Sequence, residues 1–120
     1  MIGKIELANK LEISRIVTGL WQIADMERDG KTLDPVATSN YMKPYLDAGL
    51  SSFDMADHYG SSEIIAGTFK NSLADKSEVQ LFTKWVPKPG KISRDDVREA
   101  VQTALDRMQQ TSIDLLQFHA

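Results

Sequence analysis

The sequence contains no cysteine, which excludes disulfide-stapled folds, thiolate zinc sites and cysteine nucleophiles. It has no excess of positive charge either, since the formal net charge is -3, and nucleic acid and membrane surfaces are therefore not expected as partners. No apolar run is long enough to span a bilayer, and Lys4, Glu6 and Lys10 interrupt the apolar stretch that a signal peptide needs. A cytoplasmic protein is the expectation.

Four prolines and seven glycines divide the 120 residues into short segments, some with the apolar pattern of strands and others with that of helices. Residues 4–7 and 11–14 alternate polar with apolar side chains and predict a β-hairpin that closes the bottom of a barrel. Apolar strands are predicted at 16–20, 50–55, 79–85 and 113–119. A polar loop is predicted at 25–32, and helices at 34–48, 61–70 and 93–108.

The helix ends carry specific signals. Asp34 caps the first helix and precedes Pro35, whereas Pro44 inside the same helix predicts a kink or an early break. Ser93 caps the last helix, whose apolar positions are spaced as on one helical face: Val97, Ala100, Val101, Ala104, Leu105 and Met108.

The resulting order, hairpin and then β-α-β-α-β-α-β, predicts an α/β fold with a parallel sheet and right-handed crossovers. An open doubly wound sheet has the same order, but its dinucleotide fingerprint G-x-G-x-x-G is missing after the first of these strands, where only Gly19 stands. A barrel is therefore the preferred architecture.

Ionisable residues end three consecutive predicted strands. Asp54, Lys84 and His119 occupy these ends, and Tyr59 lies in the loop that follows Asp54. Because parallel strands of a barrel share one carboxyl rim, where active sites lie, we expect these four side chains to converge, with Lys84 close to both Asp54 and Tyr59. Singly, each has a structural explanation, such as an ion pair or a core histidine; the four together favour catalysis.

Three segments carry a specific resemblance: Asp54-Met-Ala-Asp-His-Tyr59-Gly, the strand end Phe82-Thr-Lys84, and Ile113-Asp-Leu-Leu-Gln-Phe-His119. They resemble the N-terminal motifs of the aldo-keto reductases, a family of nicotinamide-dependent carbonyl reductases built on a (β/α)8 barrel of the TIM type. Glu63 and Gly67 also match the Glu-x-x-x-Gly that follows the family's tyrosine. Met55, in place of a small residue, and Met108-Gln109, in place of Leu-Gly, depart from the usual pattern and leave the subfamily open.

The resemblance implies a catalytic tetrad of Asp54, Tyr59, Lys84 and His119, and no metal. Tyr59 would donate the proton to the carbonyl oxygen as hydride arrives from the nicotinamide, and Lys84, held by Asp54, would favour the phenolate. His119 would orient and polarise the carbonyl.

The family's first loop lies against the cofactor, so the resemblance implies that Gly19, Leu20, Trp21 and Asp54 contact it. NADPH is the expected cofactor, with NADH not excluded, and a small carbonyl compound the expected substrate. The resemblance covers the chain from Ile16 to His119, and residues 1–120 are expected to be the N-terminal half of the barrel, truncated to its first four strands. We expect such a half to be inactive alone and to self-associate through its exposed edges. A non-catalytic regulatory or interaction subunit of the same fold is the alternative.

Three other residues receive simpler interpretations. Asp57 and His58 lie in a polar loop and are expected to be solvated, although His58 is also a candidate for the substrate pocket. Trp85 follows Lys84 directly and should point to the opposite face of the strand, toward the helices.

Overall fold

An N-terminal hairpin precedes the main sheet in the computed structural model, which describes residues 2–120. Strands β1 (Lys4–Ala8) and β2 (Leu11–Ser14) pair antiparallel, as the alternating pattern predicts. The hairpin is fastened to the sheet by Ser14 and Ser52, each of which donates its backbone N–H to the other's hydroxyl, at 3.0 and 3.1 Å. Because Ser52 begins its strand, the hairpin lies at the amino end of the sheet.

Four short parallel strands form that sheet, in the order in which they occur along the chain. They are β3 (Val17–Gly19), β4 (Ser52–Asp54), β5 (Gln80–Trp85) and β6 (Leu115–Phe118). The predicted α/β fold with a parallel sheet is therefore confirmed. Within residues 2–120, β3 and β6 each pair on one side only, so the sheet is open at both edges.

The helices follow the predicted order but differ in extent. They are α1 (Trp21–Met26), α2 (Pro35–Ser39), α3 (Lys43–Asp47), α4 (Ser62–Ser72) and α5 (Arg94–Met108). The polar loop predicted at 25–32 is wrong in part, because α1 enters it and a 3-10 turn spans Arg28–Gly30. This segment lacks apolar periodicity and buries only Ile23 of α1, so sequence pattern gave no sign of a helix.

Proline 44 breaks the predicted first helix as expected. A 3-10 turn over Asn40–Met42 separates α2 from α3, and Pro44 occupies the first turn of α3, where its missing N–H leaves no backbone bond unmade. Asp34 caps α2 by accepting the Ala37 N–H at 2.8 Å.

Helix α5 begins with a capping box, in which Ser93 and Asp96 bond each other's backbone N–H. Its apolar face is less buried than its spacing predicts. Only Ala104 and Met108 are buried, whereas Val97 is 41% exposed. The helix packs on α4 near its C-terminal end, where Gly67 of α4 lies against the Met108 backbone.

The core lies between the sheet and the helices. Its fully buried members include Phe53 of β4, Leu81 of β5, Ile65 of α4 and Met108 of α5. The helix-facing side of the sheet is therefore buried around Phe53 and Leu81, and the opposite side carries the polar residues described next. Among residues 2–120, no helix is both long and apolar enough to cross a membrane.

Candidate active site at the carboxyl end of the sheet

The structure places the sequence-predicted site residues at one edge of the sheet. Asp54 ends β4, Lys84 is the penultimate residue of β5, and His119 directly follows β6. Tyr59 lies in the turn between β4 and α4. Since Asp54 pairs in register with Phe82, Lys84 lies two residues farther along its strand and on the same face.

Lys84 is held between an acid and an aromatic ring. Its ammonium donates hydrogen bonds to Asp54 Oδ2 and, at 3.1 Å, to the carbonyl oxygen of Met55. The same nitrogen lies 5.2 Å from the centroid of the Tyr59 ring, within the range of a cation–π contact. The side chains of Lys84 and Asp54 are 15% and 27% exposed, so the pair is partly shielded from water. The structure thus brings Asp54, Lys84 and Tyr59 together.

Gln117 completes the surroundings of Asp54, and sequence reasoning missed it. Its Nε2 donates to Asp54 Oδ1 at 2.8 Å, while Lys84 bonds the other carboxylate oxygen. Strand alternation contains the signal that would have found it, because Gln117 lies two residues before His119 and faces the same side of β6. Both oxygens of the carboxylate are therefore fixed in direction.

His119 lies at the outer part of the site, next to a second histidine. Its backbone N–H donates to the Trp85 carbonyl at 2.9 Å, and its ring is stacked on that of His58, with centroids 6.2 Å apart. His58 also contacts the Tyr59 ring edge to face at 5.0 Å. Asp57 accepts from the Val86 N–H and lies 2.9 Å from His58 Nδ1. His58 is half exposed, as expected for a polar loop, and its ring contacts those of Tyr59 and His119.

The residues expected to contact the cofactor differ in the exposure of their side chains. Gly19 is paired with Asp54, and a Cβ at Gly19 would meet nothing within 4 Å, so open space adjoins the acid on that face. Leu20 donates its N–H to the Asp54 carbonyl at 2.9 Å, but its side chain is buried in the core. Trp21 is 53% exposed at the start of α1. Open space therefore adjoins Gly19, and Trp21 presents an exposed indole two residues later.

Trp85 lies on the helix-facing side, as alternation predicts, and packs edge to face with Phe118 at 5.8 Å. It also lines a groove of about 540 Å³ between the end of β5 and α5. Trp85 is therefore part of the packing behind the site and not of its open face.

The turn that carries Tyr59 is fixed by a carboxylate from the α1 region. Glu27 accepts the Ser61 N–H at 2.7 Å and the Ser61 hydroxyl at 2.8 Å. Desolvation opposes ionisation of Glu27, but the bonds from Ser61 and from the Leu33 N–H outweigh it, and the pKa of Glu27 is lowered. Ser61 occupies the N-cap position of α4 but makes no side-chain capping bond, because its hydroxyl donates to Glu27 instead.

Comparison with known proteins identifies the family of this chain. Residues 15–120 match the aldo/keto reductase family. The chain belongs to that family. It is 30% identical to the 6-dehydroglucose reductase of Agrobacterium fabrum, over 97% of this chain and 43% of that protein. It is 34% identical to aflatoxin B1 aldehyde reductase member 2 of Rattus norvegicus, over 76% of this chain and 26% of that protein.

Solved structures share the fold of this aldo/keto reductase chain. A thermostable aldo-keto reductase in complex with the inhibitor epalrestat superposes with a TM-score of 0.76 at 22% identity, covering 98% of this chain and 43% of that one. An aldo-keto reductase from Klebsiella pneumoniae in complex with NADPH superposes with a TM-score of 0.75 at 19% identity, over 99% and 39% of the two chains. The chain thus spans less than half the length of each of these relatives.

Proposed function

We propose that this chain supplies the catalytic groups of an NADPH-dependent reductase, which converts aldehyde or ketone carbonyls to alcohols. The observation that carries the proposal is the position of the Lys84 ammonium, bonded to Asp54 and placed over the face of Tyr59. A lysine, an acid and a phenol in contact at the rim of a parallel sheet are suited to moving one proton. A small-molecule carbonyl compound is the substrate class.

Bound NADPH would supply the hydride that forms the new C–H bond at the carbonyl carbon. The residues of this chain then act on the carbonyl oxygen. Tyr59 gives its hydroxyl proton to the oxygen as negative charge develops there, and the alcohol leaves a phenolate behind. The Lys84 cation stabilises that phenolate, and Asp54 keeps Lys84 charged and fixed. His119 donates a hydrogen bond to the same carbonyl oxygen and orients it.

The nicotinamide ring would lie in the open space beside Gly19, against Asp54, the Leu20 backbone and Trp21. A Cβ at Gly19 would meet no atom within 4 Å, so the backbone at this position leaves room for a ring. The Klebsiella reductase solved with NADPH supports this cofactor, and NADH is an alternative that the same space would accept.

The open edges of the sheet suit one half of a closed barrel. Four strands with two open edges correspond to half of an eight-stranded (β/α)8 barrel, which needs about 250 residues. We propose that residues 1–120 form the first half of such a barrel and that turnover requires the second half. Alone, the chain should bind NADPH weakly, fail to reduce a simple aldehyde and associate through the edges of β3 and β6.

A chimera tests this proposal. Residues 1–120 are fused to the C-terminal half of the Klebsiella reductase, and loss of NADPH absorbance is followed with a simple aldehyde. We expect turnover by the chimera and none by the 120-residue chain, with the Tyr59→Phe chimera as the inactive control. A folded chimera that binds NADPH without reducing any aldehyde would instead support a non-catalytic regulatory or interaction subunit. A monomeric 120-residue chain that turns over would refute the half-barrel proposal.

A further inference from the structure

A buried carboxylate lies directly behind the site, on the helix-facing side of the sheet. Glu63, in the first turn of α4, is 1% exposed. Its Oε2 accepts the Thr83 hydroxyl at 2.7 Å, and its Oε1 lies 2.9 Å from Arg107 Nε in an ion pair. Burial raises the pKa of Glu63, although the Thr83 bond and the Arg107 charge act in the opposite direction. A buried charge of this kind destabilises the fold unless its partners are well placed.

One of these partners is adjacent to Lys84. Thr83 and Lys84 are consecutive in β5 and therefore point to opposite faces of the sheet. Anchoring the Thr83 side chain to Glu63 fixes the rotation of the strand about its own axis at that point. The same anchor therefore fixes the direction of the Lys84 side chain on the opposite face of the sheet.

The other partner reaches the turn next to Tyr59. Arg107 of α5 donates from its terminal nitrogen to the Gly60 carbonyl at 2.6 Å, while its Nε lies 2.9 Å from Glu63 Oε1 in an ion pair that is not aligned as a hydrogen bond. The planar guanidinium of Arg107 thus connects the buried Glu63 carboxylate to the carbonyl of Gly60, the residue after Tyr59. A lysine ammonium is a single compact charge and lacks the planar fork for both contacts.

The same turn is confined from its other side. Gly60 has φ +52°, and a Cβ there would lie 2.3 Å from Glu27 Oε1, so the backbone of the turn contacts this carboxylate closely. Glu27 bonds the next residue, Ser61, at its N–H and its hydroxyl. Arg107 and Glu27 therefore hold the residues after Tyr59 between them.

We propose that the Glu63–Arg107 ion pair is a positioning device, which sets the contact between Lys84 and Tyr59 by holding Thr83 on one side and Gly60 on the other. The inference rests on the proposed function for its catalytic meaning. Neither Glu63 nor Arg107 touches the reacting atoms. Their effect passes through the two peptide segments that carry the lysine and the tyrosine.

Nuclear magnetic resonance of the 120-residue chain tests the device without any need for turnover. The readouts are the nuclear Overhauser effect between the Lys84 ε-methylene and the Tyr59 ring, and hydrogen exchange of the Tyr59 and Ser62 amides. The variant is Glu63→Met with Arg107→Met, which removes both charges, the acceptor of the Thr83 hydroxyl and the donor to the Gly60 carbonyl. We expect the Overhauser effect to be lost and the two amides to exchange roughly tenfold faster, while exchange at Ile65 and Leu81 is unchanged.

Arg98→Met, a matched change at an exposed position of α5, should retain every wild-type signal. A folded double variant with an undiminished Lys84–Tyr59 effect would overturn the proposal. If the double variant fails to fold, Arg107→Lys decides: it keeps a cation beside Glu63 but lacks the fork to Gly60, so a wild-type signal there refutes the device and a lost one supports it. If these signals respond as expected but the chimera is inactive, the proposed function fails and the positioning remains.

Discussion

The Lys84 ammonium donates a hydrogen bond to the Asp54 carboxylate, across 30 residues of sequence and between the neighbouring strands β5 and β4. The two side chains are 15% and 27% exposed. A pair so shielded interacts more strongly than one at the surface, where water and salt screen the charges. A double-mutant cycle can measure this difference in coupling free energy.

A double-mutant cycle of Lys84→Met and Asp54→Asn, followed by urea unfolding, should give a coupling free energy of about 1–2 kcal/mol. Lys43 and Asp47 form the matched control, since their side chains are 56% and 60% exposed. Their cycle should give below about 0.5 kcal/mol. Equal coupling in both pairs would show that the Lys84–Asp54 contact is no more than a surface ion pair.

Removal of the Tyr59 hydroxyl should nearly abolish carbonyl reduction in the chimera. Tyr59→Phe is expected to lower kcat by at least about 100-fold, because the proton donor is gone, and to leave NADPH affinity unchanged. Tyr41→Phe, at a position that is 76% exposed, is the control. Wild-type turnover by Tyr59→Phe across neutral pH would assign the proton donor elsewhere.

Gly67 lies so close to α5 that no side chain fits. A Cβ there would be 1.9 Å from the Met108 carbonyl oxygen, which is backbone and cannot turn aside. Gly67→Ala should therefore lower the free energy of unfolding by at least about 3 kcal/mol, measured in urea. Gly19→Ala, which meets nothing within 4 Å, should change stability by less than about 1 kcal/mol. Similar effects of both changes would contradict the close helix contact.

Gln109 ends α5 in the left-handed conformation, with φ 52° and ψ 44°. Its side chain is exposed, so little contact is lost on truncation. Because glycine adopts this conformation without strain, Gln109→Gly should raise the free energy of unfolding by about 0.5–1 kcal/mol. Gln102→Gly, inside the same helix, should instead destabilise by about 1 kcal/mol. A destabilising Gln109→Gly would show that its side chain contributes to the helix end.

Two glutamates should affect the pH dependence of stability with opposite sign. Burial raises the pKa of Glu63 above its ordinary 4.5, so the folded state binds the extra proton, and this residue destabilises the fold as pH rises from 4.5 through the raised pKa. The pKa of Glu27 is lowered from 4.5, so its contribution is present above 4.5 and is lost as pH falls through the lowered pKa.

Urea unfolding between pH 3 and 8, with the wild-type chain as reference, compares the two. The stability of Glu63→Gln relative to wild type should increase with pH, and that of Glu27→Gln should decrease. The same sign for both variants would mean either that burial does not raise the pKa of Glu63 or that hydrogen bonds do not lower the pKa of Glu27.

Local signals in the sequence predict much of the fold. Hairpin alternation, the Asp34 and Ser93 caps and the break at Pro44 depend on residues close together in the chain, and the structure has them all. The helix α1 and the half-exposed face of α5 were not predictable in this way, because burial depends on which distant element packs there. Asp54, Lys84 and His119 stand out by their places at strand ends, and Tyr59 by its motif in the loop after Asp54. Gln117 and Arg107 lie on regular strand and helix positions that carry no such signal.

The sequence alone determined the order of strands and helices and the residue types at the rim, since these follow from periodicity and from the ends of segments. Tertiary structure decided which side chains meet: Lys84 with Asp54 and Tyr59, His58 with His119, and Glu63 with Arg107. Such contacts join residues up to 63 positions apart, as Gln117 with Asp54 shows. Their geometry depends on strand register and helix packing, which only the assembled core fixes, because hydrophobic burial selects the arrangement of the whole and not of any one segment.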